Sequence, residues 1–389
     1  MTADEVQKIR SRIPALSQRA YLNFGGAGTM PRSSLSAVAA ALERQQAAGP
    51  FSAESFLQGN AELTETKAAL ADLLRANPDS LLLTESVSAA CRAVLWAYDW
   101  KPGDEIIITD CENPSIVAVT MSVARRFQLR INELRVCGRG EETILASLES
   151  LLTARSRVLI ASHVSWIDGQ LLPLSEMARL IHACEPDMVV LADGAQAVGC
   201  IDVDLNLLDC DFYAFTGSKW VCGPEGCAGL YVAPHWQERI QPGHSATRGG
   251  PRLEAGTRPI ALLAGLRESL RFHHLAAPLS ERAARMAHLS RVARAQLGEL
   301  AVSGGVDGIV AFRLPYDFEQ ARANGLVHFL EARDVLIREI PGRELWRICL
   351  HYFSTEDEIQ QLSFLLSAFL EKFQNHSGSS ERALQELSH

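Results

Sequence analysis

No stretch of the sequence approaches the run of about 18 apolar residues that a bilayer core requires, so no transmembrane helix is expected. The opening residues, MTADEVQKIRSRIP, carry charges of both signs and no apolar core, unlike a signal peptide. Basic residues are not in excess: 37 Lys and Arg stand against 46 Asp and Glu, a net charge of −9. A nucleic-acid surface is therefore not expected, because phosphate contacts depend on clustered cations. Paired cysteines are missing too. Cys91, Cys111, Cys137, Cys184, Cys200, Cys210, Cys222, Cys227 and Cys349 are scattered without a CxxC pair or nearby His partners, which fits neither a disulfide framework nor a zinc site. Most are expected to be small buried hydrophobes in a cytoplasmic protein. YLNFGGAGTMP (21–31) has glycines but no dinucleotide fingerprint, since Pro31 takes the third glycine position and no strand-helix context follows.

What is present is an ordinary globular balance, 47% hydrophobic and 21% charged over 389 residues, enough for two or three domains or a large one with a satellite. Between residues 80 and 235, short apolar runs alternate with amphipathic stretches. SLLLTES (80–86), GDEIIITD (103–110), RVLIASHV (157–164), DMVVLAD (187–193), DFYAFT (211–216) and AGLYVA (228–233) read as strands. AACRAVLWAYDW (89–100), PSIVAVTMSVARRF (114–127) and LSEMARLIHAC (174–184) read as helices. The alternation predicts βαβ units and a mostly parallel sheet, whose ligands sit beyond the carboxyl ends of the strands. After residue 260, long helices lead into short strands such as GIVAFRL and a last helix TEDEIQQLSFLLSAFLEKF, the pattern of a smaller α+β domain joined by the N-terminal segment. The expected division is a large domain over 20–262, a small one from 1–19 and 263–373, and a flexible polar tail over 374–389.

The polar residues fall at strand ends. Asp193 follows the apolar run VVLA, and a buried carboxylate there needs a cationic or hydrogen-bonding partner. Lys219 lies between an apolar strand and a turn rich in glycine, and taken alone a structural ion pair with Asp193 explains both equally well. In LLLTESVSAAC, Ser86 stands at a strand-to-helix junction, where free backbone N–H groups favour phosphate, although a plain Ser N-cap has the same signature.

Together, LADGAQAVG and DFYAFTGSKWVCGPEGCAGLYV resemble the site of the class V aminotransferase family, which includes the cysteine desulfurases. The resemblance covers residues 20 to about 370 and implies the fold type I architecture of pyridoxal 5′-phosphate (PLP) enzymes. It implies that Asp193 holds the pyridine nitrogen, Gln196 the phenolic oxygen, and that Lys219 binds the cofactor covalently and acts as catalytic base. Val87, Ser88, Thr216 and Ser218 become phosphate contacts, His163 stacks on the ring, and Thr257 in EAGT reaches the phosphate of a partner subunit across a homodimer. On the substrate side the resemblance implies Arg347 in LWRICLHYFSTEDEI for an α-carboxylate, with Arg338 as a second arginine and Asn23 and Gly25 in the N-terminal loop.

Within the family, desulfurases carry a nucleophilic cysteine on a loop before the carboxylate-binding arginine. The corresponding stretch here, VLIREIPGRELWR, has none, and Cys349 sits in an apolar context that points to packing. YLNFGGAGTMP, SHVSWIDGQLLPL and YAFTGSKW are similar to the carbon–sulfur lyases of the family. The expected activity is β-elimination on cystine or a cysteine S-conjugate, giving a thiol or persulfide, pyruvate and ammonia. Desulfurase, selenocysteine lyase, epimerase and aminotransferase activities stay open, as does a non-catalytic binding role. Two departures stand out: Ser218 replaces the His that relatives place before the lysine, and the stretch from Arg239 to Arg252 is short.

Overall fold

The computed structural model describes residues 1–240, 256–315 and 325–386, with side chains up to residue 372. The short stretch between Arg239 and Arg252 thus lies almost entirely outside the described residues. The strands are β1 (Ala20–Tyr21), β2 (Leu81–Thr84), β3 (Glu105–Thr109), β4 (Arg130–Leu134), β5 (Ser156–Ser162), β6 (Val189–Asp193), β7 (Phe212–Thr216), β8 (Ala228–Val232), β9 (Ile309–Phe312), β10 (Val335–Leu336), β11 (Arg338–Ile340) and β12 (Leu345–Cys349). Seven of them form the central sheet in the order β2-β8-β7-β6-β5-β3-β4. All neighbours in it are parallel except β8, which runs antiparallel to both β2 and β7.

The apolar runs become strands because helices cover both faces of the sheet. β3, β6 and β7 are buried at every position, as continuous apolar strands of a doubly covered parallel sheet must be. Helices Pro114–Phe127 and Leu174–Cys184 coincide with the amphipathic stretches, the first with Pro114 in its opening turn and Asn113 capping it. β4 was hidden in the sequence: it is an edge strand in which Arg130 and Glu133 are exposed, Ile131 and Asn132 half-buried, and only Leu134 buried.

The C-terminal part holds the three-stranded antiparallel sheet β11-β12-β9. The N-terminal segment joins it, because β1 pairs in parallel with β10 and Asn23 bridges to Cys349. Ala20 and Leu22 accordingly pack with Trp346 and Ile348 in that part's own core, on the far side of the boundary expected at residue 20. The last helix runs from Glu356 to Glu386, so most of the polar stretch expected as a flexible tail has helical backbone.

Topology brings one edge of the central sheet into focus. β2, β3, β5, β6 and β7 all end there, and Ser162, Asp193 and Ala214 stand in register across three of them. The N-terminal loop closes over this edge: the Gly28 N–H donates to the Ser218 carbonyl at 2.7 Å, and a Cβ at Gly28 would collide with the Lys219 carbonyl oxygen. Gly28→Ala is expected to cost about 1–3 kcal/mol as overpacking at a contact between two backbones. An unchanged denaturation midpoint would show that the two segments separate freely.

Candidate active site

A cavity of about 290 Å³ opens at the carboxyl edge of the sheet, with Asp193, Gln196, Thr216, Ser218 and Lys219 in its wall. Asp193 terminates β6 and is 5% exposed. Among the described residues its side chain receives one hydrogen bond, from the Ala195 N–H at 2.8 Å. Burial raises its pKa against the pull of Lys219 and that N–H. Such a carboxylate calls for a cationic partner in the cavity.

Lys219 follows β7 on the turn that packs under the N-terminal loop, and the exposure it keeps is toward the cavity. Burial pushes its pKa down to about 8; Asp193 works against that shift and Arg347 with it. An amine poised there is neutral in about a tenth of molecules at pH 7, far more than a free lysine, as nucleophile and base both require. Gln196 is oriented on two sides: its Nε2 donates to the Gly25 carbonyl at 2.8 Å and its Oε1 accepts from Trp220 Nε1 at 3.1 Å.

The opposite end suits an anion. Helix Val87–Ala97 begins at the cavity, capped by Ser86, whose hydroxyl accepts from the Ala89 N–H. Ser88 Oγ donates to Ser115 Oγ at 2.8 Å, and Thr216 and Ser218 hydroxyls meet at 2.9 Å. Helix-terminal N–H groups, the dipole and clustered hydroxyls together suit an anion such as phosphate. Ser218 contributes only a neutral hydroxyl to it.

The substrate side holds three buried polar atoms without partners: Asn23 Oδ1, Trp166 Nε1 and Arg347 Nε. Arg347, 1% exposed on β12, gives one N–H to the Trp166 carbonyl, and among the described residues it has no carboxylate partner. A buried guanidinium in that state is costly unless an anion completes it. Asn23 and Gly25 lie beside it; a Cβ on Gly25 would sit 3.2 Å from Arg347 Nη2.

Three expected residues fall elsewhere. His163 does not face this cavity. Side chains alternate along a strand, so Ser162 turns to the site and His163 to the other face, where it shares a 2.8 Å hydrogen bond with Tyr213 Oη. Burial there drives its pKa down to about 4 and keeps it neutral. Asn113, not His163, lines the cavity. Arg338 is exposed on β11, opposite Arg347 in register; like Arg347, Asn23 and Gly25 it is not in the wall of this cavity, although its charge still helps lower the Lys219 pKa. Thr257 is exposed and outside the cavity of its own chain.

Two residues had no signal that sequence reading used. Trp166 lies in a loop, lines the cavity and keeps a buried indole N–H without a partner. Glu112, between β3 and the helix that Pro114 opens, is buried and accepts from Thr109 Oγ1 (2.5 Å), the Ser162 N–H (2.6 Å) and Ser162 Oγ (2.9 Å).

These groups fit PLP. The wall offers a buried carboxylate, an oriented amide, a lysine of lowered pKa and a helix N-terminus beside hydroxyls, a set that suits a protonated ring nitrogen, an aldehyde and a phosphate. Fold and site thus define a PLP-dependent enzyme of fold type I. The family model for aminotransferase class-V matches residues 20–366, and the chain belongs to that family. Among curated proteins it is 29% identical over 380 residues to isopenicillin N epimerase of Streptomyces clavuligerus, covering 89% of this chain and 94% of that one. It is 29% identical over 337 residues to a cysteine desulfurase of Dickeya dadantii, covering 77% and 79%. Among solved structures, the cystine C–S lyase C-DES in complex with its product cysteine persulfide superposes with a TM-score of 0.83 at 31% identity, covering 91% of this chain and 98% of that one. A variant of C-DES with glycine covalently linked to its PLP cofactor gives 0.85 at 31% identity, covering 92% and 98%.

Glu112 supplies a pH test. Burial, and then the Asp193 carboxylate, raise its pKa from 4.5 to about 7. A raised acid stabilises the fold fully below its ordinary pKa, and that contribution is lost as pH rises through the folded value. The cofactor-free protein should therefore lose stability between about pH 5 and pH 8 relative to Glu112→Gln. Parallel denaturation profiles for the two proteins over that range would remove Glu112 from the electrostatics of the site.

Proposed function

We propose that the protein is a carbon–sulfur lyase acting on cystine or a cysteine S-conjugate. The observation that carries this choice within the family is the segment before Arg347. It folds back on itself as the β11–β12 hairpin, Arg338 opposite Arg347 and Ile340 opposite Leu345. This tight turn holds no cysteine and has no room for a loop that could swing a thiol over the cavity. Cys349, beyond Arg347, is fully buried. Sulfur then leaves with its own substituent and not as a persulfide on the enzyme.

In this reading Arg347 pairs with the substrate carboxylate, assisted by the Trp166 N–H and by the amide N–H of Asn23, and fixes the Cα–H toward Lys219. Asp193 would hold the ring nitrogen of PLP, Gln196 the phenolic oxygen, and the start of helix Val87–Ala97 with Thr216 and Ser218 the phosphate. PLP supplies, when bound, the sink for the electron pair left at Cα. Lys219 in its neutral form takes the Cα proton. The Cβ–S bond then breaks with its electrons on sulfur, and the unsaturated amino acid hydrolyses: substrate and one water give a thiol or persulfide, pyruvate and ammonia. A persulfide is the better leaving group, which favours a disulfide substrate.

We also propose that the enzyme works in the cytoplasm as a homodimer with a shared active site. Phe51, Phe56 and Leu57 are strongly exposed on the N-terminal helical region, and Thr257 is free to meet a second copy. No helix among the described residues is long and apolar enough to cross a membrane.

The test incubates the holoenzyme with cystine, cysteine and an S-alkyl cysteine and assays pyruvate, alanine and stereoinversion. Pyruvate with released thiol or persulfide is expected. Alanine would establish desulfurase chemistry, and inversion without elimination an epimerase; either overturns the lyase. Arg347→Ala should raise KM by about 10- to 100-fold, matching the loss of a charge-assisted bidentate contact. Lys219→Ala should abolish turnover.

A further inference from the structure

The turn that carries Lys219 is held by an unusual set of donors. Five consecutive carbonyls, from Ser218 to Cys222, each accept from a different group. Ser218 O takes the Gly28 N–H at 2.7 Å, and Lys219 O the Cys222 N–H at 2.9 Å. Trp220 O takes His351 Nε2 at 2.9 Å, Val221 O takes His273 Nε2 at 3.0 Å, and Cys222 O takes Ser269 Oγ at 2.8 Å. Three of the five donors are thus side chains from the C-terminal part of the chain. The turn needs holding, because Cys222 sits at φ +56°, a left-handed conformation unfavourable for a residue with a Cβ.

The tautomers follow from the partners. A carbonyl only accepts, so both Nε2 atoms carry the proton. Both Nδ1 atoms accept, that of His351 from the Tyr352 N–H at 3.1 Å and that of His273 from the Tyr352 hydroxyl at 2.9 Å. The two rings stack at 5.2 Å and 22°, and His351 stacks on Phe353 at 4.1 Å and 14°. Cys222 Sγ lies close enough to both to suggest a metal site. It is not one in this arrangement, since every imidazole nitrogen is already engaged. Burial lowers the pKa of His351 to about 3 and that of His273 well below the ordinary range, with Arg282 facing both, so the rings stay neutral.

We propose that His351 and His273 are positioning residues for Lys219, fixing its turn through the carbonyls of Trp220 and Val221. His351 lies four residues after Arg347 on the same strand and its exit. The base is thereby hung on the backbone that carries the arginine for the substrate carboxylate, and the two groups keep one spacing. This inference rests on Lys219 as the PLP-binding residue and is independent of which substrate is used.

The test compares His351→Gln with His351→Asn. Both are polar amides, but only Gln places an N–H where Nε2 stood. Each protein is stripped of cofactor and the rate of PLP recapture is followed by visible absorbance, alongside kcat, KM and the melting temperature. Asn is expected to slow recapture and lower kcat by about 10- to 100-fold with KM little changed, and Gln to restore most of both. Equal rates for Gln and Asn at matched melting temperatures would overturn the proposal, as would wild-type recapture by Asn. Lys219→Ala separates the two readings: if it still develops the wild-type absorbance, the assignment of Lys219 fails, whatever the histidines do.

Discussion

Lys219 is an amine largely withdrawn from water, and its charge is neither fully paired nor fully suppressed. Burial lowers its proton affinity, Asp193 raises it, and Arg347 lowers it again. The rest of the site depends on that balance. Were Asp193 within ion-pair reach of the amine, the lysine would be a structural cation. Were the carboxylate absent, two cationic groups would share one cleft with nothing to offset them. Instead the two groups stand in the same cavity wall without forming an ion pair.

The sheet supplies this separation. Asp193 ends β6 and Lys219 lies three residues beyond the end of β7, so one parallel edge fixes both backbones. The antiparallel β8 returns the chain beneath the lysine turn, and helix Val87–Ala97 aims its N-terminus at the same edge. The substrate side is then added from two distant pieces of sequence, the N-terminal loop and β12, joined by the Asn23–Cys349 bridge. Their meeting buries Arg347 with no carboxylate beside it among the described residues.

Much of this was legible in one dimension. Strands buried on both faces must be continuously apolar, so β3, β6 and β7 announced themselves, as did helices with a regular apolar stripe. The charged residues that interrupt such runs, Asp193 and Lys219, stood out because burial of charge is expensive. β4 escaped because an edge strand tolerates polar residues on its open side. His163 misled for a related reason: a histidine after a buried strand reads the same whichever face it takes, and one residue of register decides between cofactor and core.

The sequence by itself determined most of the central sheet and marked Asp193 and Lys219 as charges placed at strand ends, because these are local consequences of hydrophobic period; that the two serve a cofactor came only from the family resemblance. Tertiary structure alone decided which way His163 turns, that Glu112 is buried within reach of the Asp193 charge, that Trp166 and Arg347 both keep unpartnered donors, and that His273 and His351 grip the lysine turn. Those relations join residues up to hundreds of positions apart. Their chemistry arises from proximity and from the exclusion of water, and neither is written in the order of residues along a chain.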